Sequence, residues 1–320
     1  MNKKLRKLRN IASEAIRKRD NLNFKCFIEE CPRKAISSHS QSRSNALRRI
    51  SKKGHVILPR TLIFMKNYED IDSYFQKVGI KWASTFKGFC GKHDNKYFSM
   101  TDVISQENIS KETLTMLAFR TFAYEERTKE KGLFFLDYFA KKAMGICDIS
   151  DTQMAALGMR LHLEVTRPYY LNRFIGMVES QDYEQICGIL FILNKMIPLS
   201  CSAAIDPTMI DSDSLMEGDL QKPLDMIFFN LIPQTDSTLV LFAYFKEHEL
   251  KLKEFISKLS RLENIIFNHC EEILISPSFY DSLTYEMKCK IMSGLRPWNY
   301  WKRENFPDLF HVRLESPVYI

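Results

Sequence analysis

Cys26-Phe27-Ile28-Glu29-Glu30-Cys31 and Cys90-Gly91-Lys92-His93-Asp94-Asn95 are the two poles of the stretch that organises this chain. Thiolate and imidazole are what zinc prefers in a closed four-coordinate site. Cys26, Cys31, Cys90 and His93 therefore form a candidate structural set, the first pair separated by four residues and the second by two. Two close pairs argue for a metal better than one. The competing reading is a set of buried thiols and an imidazole that bind nothing. Between the poles, Phe24 to Ile28 reads as a short strand and Cys31-Pro32 as a turn. Ala35 to Gln41 is an extended segment carrying His39. Ser42 is placed to cap a helix from Arg43 to about Lys52, with Leu47 and Ile50 inward and Arg43, Arg48 and Arg49 outward. A glycine turn at Gly54 opens a strand over His55 to Leu58, which Pro59 ends. Ile71, Tyr74, Phe75 and Val78 have helical spacing within Tyr68 to Val78, and Phe86 to Phe98 reads as a turn running into a helix.

These residues resemble the zinc-containing members of the HNH, or His-Me finger, endonuclease superfamily, over about residues 24 to 98. In that pattern two zinc knuckles of treble-clef type brace a strand-turn-helix catalytic motif. Ile36-Ser37-Ser38-His39 looks like the strand that ends in the catalytic histidine, and Cys90-x2-His93-Asp94-Asn95 is similar to the second knuckle opening the helix. The resemblance implies His39 as the general base activating water, with Asp94 or Asn95 helping to hold a divalent ion, Mg²⁺ or Mn²⁺, at the scissile phosphate. The chain departs from the pattern in the long gap between His39 and Cys90 and in its single histidine at the strand end. Asn45 and Asn67 are the candidates for the motif's middle residue. Other readings stand beside these. His39 suits a supporting or capping role, or could replace one of the four ligands, and Asp94 and Asn95 suit ordinary first-turn positions of a helix. His55 reads as a surface or packing histidine.

Charge is concentrated around the same stretch. Residues 1 to 60 carry seventeen Lys or Arg against four Asp or Glu, a net of +13, leaving −6 for the other 260 residues of a chain whose total is +7. Such asymmetry fits a polyanion, DNA or RNA, with Arg43, Arg48 and Arg49 as candidate phosphate contacts. A solvated basic helix is the plainer alternative. Residues 2 to 20 form that helix: Leu5, Leu8, Ala12 and Ile16 make a thin apolar stripe expected to pack on the following module.

Beyond Phe98 the spacing predicts a helix capped by Ser110 and running to about Met144, with Gly132 as a break, and another from Ser150 or Asp151 interrupted by Pro168. Ile186, Ile189, Leu190, Leu193 and Ile197 complete a fourth helical face, enough for an antiparallel bundle. Leu199 to Ile205 reads as a strand and residues 206 to 223 as an acidic loop. Met226 to Ile232 and Thr238 to Phe245 form a hairpin about Gln234 to Ser237. A long helix from Glu247 to about Cys270 follows, then another with Ser276 as N-cap and Pro277 in the first turn. Arg296 to Arg303 mixes cations and aromatic rings, read as core with surface cations in preference to a base-stacking platform.

With 45% hydrophobic residues over 320 positions, the chain can bury a substantial core. No apolar run reaches the roughly eighteen residues of a membrane span, and the basic start lacks a following apolar region, so a cytoplasmic protein with no membrane partner is expected. Eight cysteines at irregular spacings argue for reduced thiols, with Cys147, Cys187, Cys201, Cys270 and Cys289 in the core. There is no P-loop, dinucleotide fingerprint or nucleophile elbow. The expected fold is α+β, with a basic zinc module over 1–100, a helical region over 101–198, and a small antiparallel sheet with helices over 199–320. The expected function is nucleic-acid binding with metal-dependent phosphodiester hydrolysis. The alternative is a noncatalytic zinc-stabilised sensor that binds a protein partner.

Overall fold

The computed structural model describes residues 3–60, 70–102, 104–207, 221–258, 261–295 and 305–320. Asn67, the cluster over 296–303 and most of the acidic loop over 206–223 lie outside these residues.

Four consecutive long apolar runs form the centre of the molecule: β5 (Ile186–Leu193), β6 (Leu199–Ile205), β7 (Ile227–Pro233) and β8 (Thr238–Phe245). Among the described residues they belong to an eight-stranded antiparallel sheet. It is completed by β2 (His55–Pro59), β3 (Phe75–Gly79), β9 (Glu272–Ile275) and β10 (Val318–Tyr319) in the order β10-β5-β8-β7-β6-β9-β2-β3. Antiparallel structure is thus present as expected, but in a larger sheet that also recruits two strands from the first hundred residues.

Both faces of this sheet are covered, which is why its strands read as unbroken apolar runs and not as alternating ones. Along β8, Val240, Phe242 and Tyr244 join one core cluster, while Leu239, Leu241, Ala243 and Phe245 join the other. On the first face lie α7 (Glu249–Lys258), α8 (Leu262–His269), α9 (Pro277–Ser282) and α10 (Tyr285–Gly294), contributing Phe255, Ile266, Phe267 and Met292. On the second lie α4 (Lys111–Ala143), with α5 (Ser150–Leu161) packed against it, and α6 (Arg167–Ser180); Phe122 and Phe174 meet Phe228, Phe174 also meets Phe245, and Phe119 stacks on Phe174. Truncating any one of these fully buried rings to Ala is expected to cost about 3–5 kcal/mol.

Helix α4 is the spine of the second face. Ser110 caps it, its hydroxyl accepting from Thr113 N at 3.2 Å, and it runs unbroken through Gly132, where a side chain would crowd Met159 of α5. Its far end carries α1 (Lys3–Asp20): Leu8, Ile11, Ala12 and Ala15 pack with Phe135, Phe139 and Ala143. The basic helix therefore docks on α4 and not on the cysteine-bearing module. Its near end carries β1 (Ser38–His39), β4 (Thr85–Phe86), which pairs antiparallel with β1, and α3 (Gly91–Phe98). The remaining short helix, α2 (Arg48–Ile50), follows a wide turn over Arg43–Leu47.

Several expected elements take another form. Residues 186–193 are a strand, because a continuous apolar run satisfies helical spacing and a doubly buried strand equally well. The eight-residue register with β8 resolves the ambiguity. Phe75–Gly79 is a strand zipped to β2 and not a helix, and the single helix expected over 247–270 is two, α7 and α8.

Candidate metal centre and the His39 strand

Two backbone knuckles build the centre. In the first, Cys26 N donates to Arg33 O at 3.1 Å and Cys31 N to Ile28 O at 2.9 Å, folding the arm tightly so that Cys26 and Cys31 face one way. In the second, Cys90 is the N-cap of α3, and Asp94 N donates to Cys90 O at 2.9 Å. Phe27 N to Gly88 O (2.9 Å) and Ile36 N to Phe89 O (2.8 Å) bind the two arms together. Phe89 anchors the second arm, its ring meeting Phe27, Tyr97, Phe98 and Phe119 edge-on. Arg127 of α4 anchors the first, stacked on Phe24 and Phe27.

The result brings Cys26, Cys31, Cys90 and His93 together, with ligand atoms all within 4.8 Å of one another. Cys31 Sγ lies 3.8 Å from Cys90 Sγ, and His93 Nδ1 lies 3.3 Å from Cys26 Sγ and 3.6 Å from Cys90 Sγ. A tetrahedral zinc with bonds of about 2.3 Å to sulfur and 2.0 Å to nitrogen requires edges of about 3.7 Å between sulfurs and about 3.5 Å from sulfur to nitrogen. The three observed separations lie close to those edges, and the four side chains can hold a metal ion. Burial pushes the Cys26 thiol up to about 11, while Cys90, though opposed by burial, is held below its usual value by the backbone N–H groups of His93 and Lys92 at the start of α3. Burial also lowers His93, as do Lys92, Lys96 and Arg33. Backbone amides that favour the charged form of Cys90, and an imidazole whose charged form is disfavoured, both suit ligation.

Four protein ligands leave a tetrahedral ion no open position, so chemistry would need groups elsewhere. His39 ends β1, in register with Thr85 of β4, and β4 leads into Cys90 and α3. Its Nδ1 sits 2.9 Å from Ala83 O and 3.3 Å from Ser84 Oγ. A carbonyl can only accept, so Nδ1 carries the proton and Nε2 is the basic nitrogen. Burial lowers the ring below its usual range, and Arg43 and Arg120 add to this against the Ala83 carbonyl. His39 is thus half-buried, neutral and fixed in one tautomer, and it is not among the four clustered Cys and His side chains.

Asp94 and Asn95 lie on α3. Among the described residues Asp94 Oδ1 is buried without a hydrogen-bond partner, whereas Asn95 is exposed. Asn45 is structural in part: Nδ2 donates to Ile104 O at 2.8 Å. Arg43 and Arg48 are exposed, while Arg49 is half-buried and donates from Nη1 to Pro233 O at 3.3 Å. His55 Nδ1 meets Lys53 O at 2.8 Å, a local turn contact. Cys201 and Cys270 are buried in the sheet core, and Cys147, Cys187 and Cys289 are half-buried against core clusters. Sequence reasoning missed Arg127, stacked on Phe24 and Phe27, Ser84, whose Oγ lies 3.3 Å from His39 Nδ1, and Glu272, whose Oε2 accepts from Ser40 Oγ. The one legible signal was a pair of acids at the mouth of an apolar strand, Glu271-Glu272-Ile273-Leu274-Ile275.

Comparison with family models, curated proteins and solved structures finds no match to this chain. Among the described residues no helix is long and apolar enough to cross a membrane.

Proposed function

We propose that the quartet binds one structural zinc and that the module it braces binds nucleic acid and hydrolyses phosphodiester bonds with a second divalent ion. The observation that carries this reading is the succession of β1, β4 and α3 on the metal-binding cluster, with His39 held as the Nδ1–H tautomer at the end of β1. Nε2 of such a ring can take a proton from water at neutral pH. The buried Asp94 carboxylate oxygen without a partner suits a cation, and Mg²⁺ or Mn²⁺ there would stabilise charge on the phosphate. Exposed Arg33, Lys92 and Lys96, which act electrostatically on His93, extend the cationic surface beyond Arg43 and Arg48.

The zinc-loaded protein is expected to nick DNA or RNA when given Mg²⁺ or Mn²⁺. His39→Ala is expected to abolish cleavage while leaving zinc content and nucleic-acid affinity unchanged. Loss of zinc in that variant would make His39 a ligand; no cleavage by wild type with either ion would end the enzyme reading. A second reading, a noncatalytic zinc-stabilised protein with a protein partner, is favoured by one observation. Met154 and Leu157 are exposed on α5, a helix whose single buried residue is Ala156, and Met144 is exposed close by in the chain. Binding that ignores salt and charge reversal would select it.

A further inference from the structure

Glu272 opens β9 opposite Ser202 of β6, and its side chain is buried. Its Oε2 meets Ser40 Oγ at 2.5 Å, Ser202 Oγ at 3.2 Å and Gln41 Nε2 at 3.4 Å, while among the described residues Oε1 has no partner. Gln41 is hydrogen-bonded in turn to Ser200 of β6. Ser40 and Gln41 are the residues immediately after His39, so the central sheet reaches across the fold to the end of β1.

A short chain of contacts continues to the ring. Ser40 N donates to Ser84 O at 2.8 Å, Ser40 Oγ lies 3.0 Å from that same oxygen, and Ser84 Oγ lies 3.3 Å from His39 Nδ1. Ser84 has φ of 55° with a side chain present, a left-handed conformation that persists where its surroundings enforce it. The Ser40 hydroxyl has one proton and two acceptors in reach. A protonated Glu272 donates to Ser40 Oγ and lets Ser40 donate to the Ser84 carbonyl. An ionised Glu272 draws the Ser40 proton to itself, and the Ser84 carbonyl loses that donor.

We propose that Glu272 is a positioning residue for His39, and that its protonation sets the direction of the Glu272–Ser40–Ser84 hydrogen bonds against which the ring is held. The functional consequence rests on the reading of His39 as the base. Burial raises the Glu272 carboxyl to about 7, against the pull of Ser40, Gln41, Ser202 and Arg120. The other titratable groups that face this region are Tyr124 and Glu125 of α4, Cys201 of β6, and Cys270 and Glu271 before β9.

The test uses the full chain with its metal, labelled at the histidine ring nitrogens, with His39→Asn to assign the signals. His39 is expected as the Nδ1–H tautomer, with ring shifts that move as pH passes through about 7, above the ring's own lowered titration. Glu272→Gln and Ser40→Ala are expected to abolish that movement, and Glu125→Gln to retain it. Persistence of the movement in Glu272→Gln overturns the proposal, as does its loss in Glu125→Gln. Should Ser40→Ala not fold, the near-isosteric Glu272→Gln carries the test. With Mg²⁺ or Mn²⁺ supplied, Glu272→Ala is expected to lower kcat about tenfold with KM unchanged, the scale of losing an outer supporting partner. Absence of wild-type cleavage with the ring coupling intact would refute His39 as a base without touching its positioning by Glu272. Cleavage by Glu272→Ala at the wild-type rate and pH profile would refute the positioning.

Discussion

Arg127→Met should loosen the first knuckle from the spine helix. The guanidinium carbon lies 4.1 Å from the ring centroids of both Phe24 and Phe27, Nη2 donates to Lys25 O at 3.1 Å, and Nη1 donates to Glu130 at 2.5 Å. Three of these four partners belong to the arm that carries Cys26. Burial lowers the guanidinium to about 10, with Glu130 opposing, so the group remains charged at neutral pH. Each ring contact is worth about 1–2 kcal/mol when desolvated and the charged hydrogen bonds about 1.5–3 kcal/mol. These overlap, and burying the charge carries its own penalty. Methionine keeps much of the stem's packing, so the expected net loss is about 3 kcal/mol. At a urea slope of about 3 kcal/mol per molar, the unfolding midpoint should fall by about 1 M. Urea unfolding of the metal-loaded protein measures this, and metal release to a chelating dye should accelerate in parallel. A midpoint within about 0.3 M of wild type, well inside that slope, together with unchanged metal release, would refute the claim that this sandwich braces the centre.

Cys90→Ser should lower metal content and melting temperature together, by about 3 kcal/mol or more in stability, because binding free energy at such a site is also folding free energy. Cys187→Ser, half-buried on β5, should leave metal content unchanged in the same elemental analysis. Burial, with Glu271 adding, raises Glu125 from 4.5 to about 8. The folded protein therefore keeps a proton that the unfolded chain has released, and this contribution is fully present below about pH 4.5 and lost as pH rises toward 8. Glu125→Gln should flatten the corresponding fall in urea midpoint, and an unaltered pH slope would contradict the assignment. Arg43→Glu and Arg48→Glu should each weaken nucleic-acid binding and reduce the slope of log affinity against log salt by about one, read by fluorescence anisotropy. Arg49→Glu should also lower stability, since it removes the bond to Pro233 O.

Much of the fold was legible where a local signal and the tertiary outcome agree. The basic helix, described from Lys3 to Asp20, the Ser110 cap, the 199–205 strand, the hairpin about Gln234 to Ser237, and the helix begun by Ser276 and Pro277 are all present. Reading failed where two periods fit one string. Ile186 to Leu193 satisfies helical and buried-strand patterns together, and only pairing with residues near 240, far along the chain, separates them. The cluster of Cys26, Cys31, Cys90 and His93 was legible because close Cys and His pairs announce themselves. Arg127, which stacks on the Cys26 arm, and Ser84 and Glu272, which lie about His39 and Ser40, were not legible, because their contacts span long stretches of sequence and nothing near each residue marks its partner. Ser42 illustrates the middle case. Its hydroxyl does accept from Asn45 N at 3.2 Å, yet the turn it caps is wide and leads to a much shorter helix than the spacing suggested.

X-ray absorption at the zinc edge, on protein purified without added metal, tests the central claim most directly. One zinc per chain is expected, with three sulfurs at about 2.3 Å and one nitrogen at about 2.0 Å, and with the nitrogen lost in His93→Ala but retained in His39→Ala. A folded, metal-free protein, an oxygen-dominated shell, or loss of the nitrogen in His39→Ala would contradict it.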